Sequence, residues 1–325
     1  MNMFLGIDIS KSKFDVALLN DGKYKHKVFS NDNSGFKKLH EWLTSRNALD
    51  CHACLEATGV YGDDLAQYMY DNKIRVSVVN PLRIKKFAES ELSRNKTDKA
   101  DAKMIADFCR SKTEKLMSWK PALPHIKYLR LLVIRRNQLL ESLQQEKNRL
   151  STCEAMKASI NSVITCLNAE IKKIDQQIQE AIDKNDDLKS KQILLDTIPG
   201  IGGVTIATML AYFGETENFQ SAKQIASFSG LSPKNLQSGS SVHGKTRVSK
   251  TGDANLRKAL YMPAVVALRY NPVIKSFCAR LTGYGKCKMV IVCAAMRKLL
   301  HIIYGVLKTK TPFRYQPCSS DSVVG

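Results

Sequence analysis

The order of hydrophobic periods over the first 111 residues constrains this fold more than any other feature. Apolar runs of strand type occur at 3–9 (MFLGIDI), 13–20 (KFDVALLN), 24–30 (YKHKVFS), 52–57 (HACLEA) and 74–80 (IRVSVVN). Asp21-Gly22 between the second and third is a hairpin turn signal, and Pro81 ends the fifth. Helical stripes lie between and after them, at 33–46 with Phe36, Leu39, Trp42 and Leu43 on one face, then at 61–72, 82–90 and 97–111. The order β-β-β-α-β-α-β-α predicts a meander followed by parallel strands: a mixed sheet with helices on its faces.

Four carboxylates have informative places on that frame. Asp8 sits in mid-strand, where a charge is costly without a partner. Glu56 ends the fourth strand, expected beside the first. Asp98 and Asp101 lie three apart at the mouth of a helix, on one face, followed inward by Met104, Ile105 and Phe108. Alone, that stretch also fits a plain helix start, with Thr97 as N-cap and Asp98 favoured by the helix dipole. As a set, the four acids can meet at one end of the sheet. An all-oxygen set without nearby His or Cys suits a hard cation such as Mg²⁺ and phosphoryl chemistry.

Fifty Lys and Arg against thirty Asp and Glu leave a net charge of +20, which points to a polyanionic partner, nucleic acid above all. A membrane partner is not expected: no run of eighteen apolar residues occurs, and the first residues lack a signal-peptide layout. The nine cysteines are scattered, and Cys51-His-Ala-Cys54 has no second pair at zinc-site spacing, so reduced structural thiols in the cytoplasm are expected.

From Trp119 the pattern changes. Stripes at Leu129, Leu132, Val133, Leu139, Leu140 and Leu143, and then at Ile160, Val163, Ile164, Leu167, Ile171, Ile174, Ile178 and Ile182, predict two long helices. They would form an antiparallel hairpin or coiled coil over 119–190, serving as a spacer or a self-association arm. The segment 193–214 reads as helix, Pro199-Gly-Ile-Gly202, helix, similar to a helix-hairpin-helix, with Gly200 and Gly202 offering a close backbone approach to phosphate. A plain αα turn is the simpler reading of the same residues.

Beyond Gly230 a Gly- and Ser-rich stretch, Gln237-Ser-Gly-Ser-Ser241, precedes His243, Lys245, Arg247 and Lys250, with Arg257 on the next helix. It reads as a flexible loop that holds phosphates, or as a nucleophilic serine among cations. The rest of this half reads as helical, and the tail from Lys308 as loosely ordered.

The spacing GIDIS, CLEATG, NKTDKADA, IPGIG, GLSP and QSGSSVHGKTRVSKTGDANLRKALY, from about residue 4 to about residue 313, resembles the DEDD-type insertion-sequence transposases related to the Piv DNA invertase. That family is described as bridge-RNA-guided serine recombinases. The resemblance implies a RuvC-like, ribonuclease H-type domain over 1–118, the helical coiled-coil spacer over 119–190, a mainly α serine transposase domain over 191–313 and a flexible tail over 314–325. It implies that Asp8, Glu56, Asp98 and Asp101 bind Mg²⁺, and that Ser238 attacks a DNA phosphodiester to form a phosphoserine link. Ser240 and Ser241 are near enough that Ser238 rests on the motif match alone. Target and donor DNA, a structured guide RNA and further copies of the chain, as a dimer or tetramer, are the expected partners. The expected location is the bacterial cytoplasm, at the nucleoid.

Three other readings make different demands. A metal-dependent junction nuclease would use the same acids with water as nucleophile. A sugar-kinase-like or actin-like ATPase would need a second phosphate-binding hairpin later in the chain. A non-enzymatic nucleic-acid-binding protein would have no use for Asp8 and Glu56 on the sheet.

Overall fold

The computed structural model describes residues 3–57, 59–91, 97–152, 154–238 and 242–315. The chain divides into two compact units, Met1–Pro121 and Ala122–Gly325.

Unit 1 is built on a five-stranded sheet. Strands β1 (Phe4–Ile9), β2 (Lys13–Asn20) and β3 (Lys23–Ser30) form an antiparallel meander. Asp21 and Gly22 turn it with positive φ, as the hairpin signal required. Strands β4 (His52–Glu56) and β5 (Arg75–Val79) run parallel to β1, giving the order β3-β2-β1-β4-β5. The mixed sheet expected from the sequence is therefore present. Helices α1 (Asn33–Thr44) and α2 (Asp63–Asp71) lie on one face. There Leu5, Ile7, Phe14 and Val16 bury with Phe36, Leu39, Leu43 and Leu65. Helices α3 (Pro81–Ser90) and α4 (Asp98–Lys112) cover the other, where Phe4, Leu19, Cys54 and Val79 meet Ile84, Ile105 and Phe108. Strand alternation decides which side chains go where. It sends Cys51 and Cys54 to opposite core clusters, both as buried free thiols.

One glycine sets the spacing between β1 and α4. A Cβ on Gly6 would stand 2.0 Å from the Ala102 carbonyl oxygen and 2.3 Å from the Ala106 nitrogen. Both obstacles are helix backbone and cannot swing away. Gly6→Ala is expected to push α4 off the sheet and cost unit 1 roughly 3 kcal/mol, read as a lower urea midpoint with an unchanged slope. A midpoint equal to that of the native chain would refute this packing.

Unit 2 begins with two 27-residue helices, α5 (Pro124–Leu150) and α6 (Lys157–Asp183). They pair antiparallel: Leu139 and Leu143 pack with Ile171, and Arg136 Nε donates to Asp175 Oδ1. Toward their other ends Ile126, Leu129, Val133, Ile178 and Ile182 join the core of the rest of the unit. That core gathers α7 (Asp186–Asp196), α8 (Gly203–Phe213), α9 (Ala222–Phe228), α10 (Ala254–Tyr270), α11 (Pro272–Gly283) and α12 (Lys288–Thr309). By length and composition α12 could cross a membrane; it serves as a core helix, with Leu299, Leu300, Ile303 and Leu307 buried.

Two expectations for this half change. The stretch after Gly230 contains an antiparallel ribbon, β6 (Pro233–Ser238) with β7 (Val242–Val248), in which Gly244 pairs with Leu236; residues 239–241 of the expected loop lie outside the described residues. Neither strand alternates apolar and polar residues, so periodicity could not reveal it. The ribbon is held at its base instead, where the Ser249 amide donates to the Ser232 carbonyl and Val248 packs on the core. The start of the tail is also ordered. The Phe313 amide donates to Thr197 Oγ1 at 2.8 Å, and the Phe313 side chain rests on the core. Residues 316–325 lie outside the described residues.

Candidate functional site

The period of the strands brings the acids of unit 1 to one face. On β1, Phe4 and Gly6 face α4, so Asp8 faces the same way. The parallel register pairs Ile7 with Leu55, which sets Glu56 at the strand end beside Asp8, on the face of Cys54. Helix α4 enters over that edge. Thr97 Oγ1 accepts from the Ala100 amide as N-cap, and Asp98 and Asp101 stand in the first turn. The two readings of this stretch are compatible, since the cap fixes the turn that presents the acids.

The field at Asp8 registers the convergence. Burial, and then the charges of Asp101, Asp98, Glu56 and Asp15, push its carboxyl from the ordinary 3.8 up to about 6. Repulsion of this kind is relieved by a cation. The donor set, all carboxylate oxygen, fits a hard divalent ion in type and charge. Among the described residues, no three His, Cys, Asp or Glu side chains are gathered closely enough to hold a metal as they stand. Lys13 stands among these acids: its ammonium donates to Asp98 Oδ2 at 2.8 Å and to Asp15 Oδ2 at 3.4 Å. That bond holds the Asp98 carboxyl below its usual range.

Asp15 is the acid that the sequence reading missed. It pairs with Asp8 across the β1–β2 ladder, is almost wholly buried, and takes a 2.8 Å hydrogen bond from His26 Nε2. The signal was there: in KFDVALLN, period two puts Asp15 on the face of Leu19, the face that meets α4.

In unit 2 the ribbon places the remaining candidates. Ser238 ends β6 opposite Val242, and His243 lies opposite Gln237. Ser240 and Ser241 lie outside the described residues, as do the side chains of Ser238, His243 and Lys245. Arg247 is exposed opposite Lys234, and Lys250 is exposed in a left-handed conformation after the ribbon. Arg257 Nη1 donates to the carbonyls of Ser229, Gly252 and Asp253, tying together the segments that flank the ribbon. Gly200, at φ +101°, is pressed against α10, where a Cβ would come within 2.8 Å of Ala267 Cα. Gly202 is the N-cap of α8, with open space beside it. The turn between α7 and α8 thus has Gly200 fixed by packing and Gly202 facing outward.

Comparison with known proteins covers both units. Residues 5–153 match a family model described as a transposase, and residues 192–279 match the model of the transposase IS116/IS110/IS902 family. The pilin gene-inverting proteins of Moraxella lacunata and Moraxella bovis are each 35% identical over 95% of this chain and 97% of their own. The transposase for insertion sequence element IS1328 of Yersinia enterocolitica is 28% identical over 44% of this chain and 42% of its own. A solved RuvC of T. thermophilus in complex with a Holliday junction substrate aligns at a TM-score of 0.28 and 12% identity, over 37% of this chain and all of that one.

Proposed function

This chain belongs to the IS116/IS110/IS902 family of transposases, enzymes that act on DNA strands, and from that premise we propose that it is the site-specific recombinase of an insertion sequence, guided by a structured RNA. The observation that carries the catalytic reading is the convergence of Asp8, Glu56, Asp98 and Asp101 on one sheet edge, registered in the raised pKa of Asp8. A nucleic-acid-binding protein without catalysis gains nothing from that strained field. We read unit 1 as RuvC-like, with these four acids as the residues that would hold Mg²⁺. Bound there, the ion supplies charge neutralisation at a phosphate.

Ser238, at the end of β6, is the proposed nucleophile. Its Oγ attacks a DNA phosphodiester phosphorus. The Oγ–P bond forms, the P–O3′ bond breaks, and the hydroxyl proton passes to solvent while the 3′ oxygen leaves as a hydroxyl. Attack of a 3′-hydroxyl from another DNA end reverses the link and rejoins the strands. Arg247 and Lys250 neutralise flanking phosphates, together with His243 and Lys245 on β7. Arg257 supports them by holding the base of the ribbon. Base pairing with the guide RNA supplies the choice of target and donor sequence, and the protein reads backbone and shape. A net charge of +20 supports a partner load of DNA and RNA together. We propose that the chain works as a homo-oligomer in the cytoplasm, at the nucleoid.

The test is a denaturing gel of the protein with guide RNA and end-labelled donor DNA. A labelled band at protein mass, released by protease digestion, is the expected result. Cut DNA with free ends and no such band would sink the serine mechanism and favour the hydrolytic nuclease.

A further inference from the structure

Beside the ribbon, unit 2 contains a cleft of about 760 Å³ between the base of β6 and β7 and helices α11 and α12. Its floor is apolar, formed by Phe277, Met289, Val290 and Ala294, and Met289 and Val290 are exposed. Its rim carries Arg247, Lys250, Arg297 and Lys298, and among the described residues no carboxylate lines it. Exposed apolar surface of this kind marks a binding site, and a cavity of this size accommodates a small organic group. Four cations around it require an anionic occupant. A second copy of this chain is a poor one, because each copy carries +20 and like charges would meet at the rim.

One chemical group answers both halves of the cleft: a nucleotide, with a flat base for the floor and phosphates on either side for the rim. We propose that this cleft receives an unpaired nucleotide of the bound strand, its base against Phe277 and its flanking phosphates on Arg297, Lys298, Arg247 and Lys250. Lys298 Nζ already stands 5.9 Å from the Phe277 ring centroid, so the stacking surface and a phosphate donor are adjacent. His301 lines the same cleft, with its Nε2 enclosed and unpartnered among the described residues. A double helix cannot place a base there without opening, so the cleft selects single-stranded or locally opened nucleic acid. The inference rests on the reading that unit 2 acts on nucleic acid, and it adds the subsite, the ligand class and the residues.

Binding of the full-length protein to dodecathymidylate, and to an abasic oligomer of equal length and charge, tests it at fixed salt. The oligothymidylate is expected to bind roughly tenfold or more tightly, as one stacked base contributes. Phe277→Leu, which keeps an apolar side chain, and Cys293→Trp, which fills the cleft, should each bring that ratio close to one and leave abasic binding unchanged. Arg297→Gln with Lys298→Gln should weaken both oligomers alike. An oligouridylate arm identifies the strand: equal ratios mean that the base alone is read, and unequal ratios assign the cleft to DNA or to RNA. Equal affinity of the native protein for thymidylate and abasic oligomers overturns the proposal. So does a ratio unchanged in both cleft variants, including the case in which Cys293→Trp shifts only the sedimentation of the protein, which would assign the cleft to a second copy. Loss of the covalent adduct with the ratio intact would remove the serine chemistry and leave the cleft standing.

Discussion

Replacing Ser238 with alanine will abolish the protein–DNA adduct and lower recombination by on the order of 10⁴-fold or more, because no other group can make the same phosphoester. Residual cutting, if the acid cluster activates water, would appear as hydrolysed ends. The neighbouring serines supply the control. Ser240→Ala and Ser241→Ala should retain the adduct, since the motif match assigns the attack to Ser238. An adduct that survives Ser238→Ala and disappears with Ser240→Ala or Ser241→Ala would move the nucleophile. Survival in all three would remove serine catalysis. A melting temperature unchanged by Ser238→Ala is the control for folding: Ser238 is the last residue of β6, and the base of the ribbon is anchored independently by the bond from Ser249 to Ser232 and by Arg257.

Asp8→Asn and Glu56→Gln are the second pair, expected to reduce recombination roughly 10²- to 10³-fold. Asp8→Asn carries a distinctive stability signature. The folded-state pKa, about 6, lies above the ordinary 3.8, so the folded protein holds this proton more tightly than the unfolded chain does. The resulting stabilisation is complete below pH 3.8 and is lost as pH rises through about 6. At pH 7.5, where native Asp8 is ionised among its neighbours, the asparagine variant should be the more stable by about 1 kcal/mol once solvent screening of this half-buried carboxyl is allowed for. Near pH 4 the two should melt together. Millimolar Mg²⁺ should raise the native melting temperature at pH 7.5 and leave that of Asp8→Asn nearly unmoved. A variant that is less stable at every pH would make Asp8 a structural residue.

The sheet of unit 1 was legible because its strands and helices carry clean periods and its turns carry Gly and Pro. Observed element ends differ by no more than a few residues from those expected. The shared face of Asp8 and Glu56 follows from strand alternation, and the place of Asp98 and Asp101 from the Thr97 helix start. Asp15 escaped because it stands beside Lys13 near the start of a strand that is otherwise apolar, where an acid also fits an exposed strand end. The ribbon of unit 2 escaped on different grounds. Lys234-Asn-Leu-Gln237 and His243-Gly-Lys-Thr246 hold one large apolar residue, Leu236, and no alternation, so their pairing follows from backbone bonds and an anchored base, to which side-chain patterns are blind. The cleft next to them is a tertiary product. Phe277, Val290 and Arg247 are far apart in sequence, and only the packing of α11 and α12 beneath the ribbon brings them together.

The helical hairpin has its apolar seam in two parts. Near one end it is continuous with the large core through Ile126, Leu129, Ile178 and Ile182; farther out it relies on the small separate cluster of Leu139, Leu143 and Ile171. Cooperativity follows contiguity, so the two stretches belong to different opening units. The outer third of the arm should therefore exchange its amide hydrogens faster than its root, which shares the core of the body that carries the ribbon.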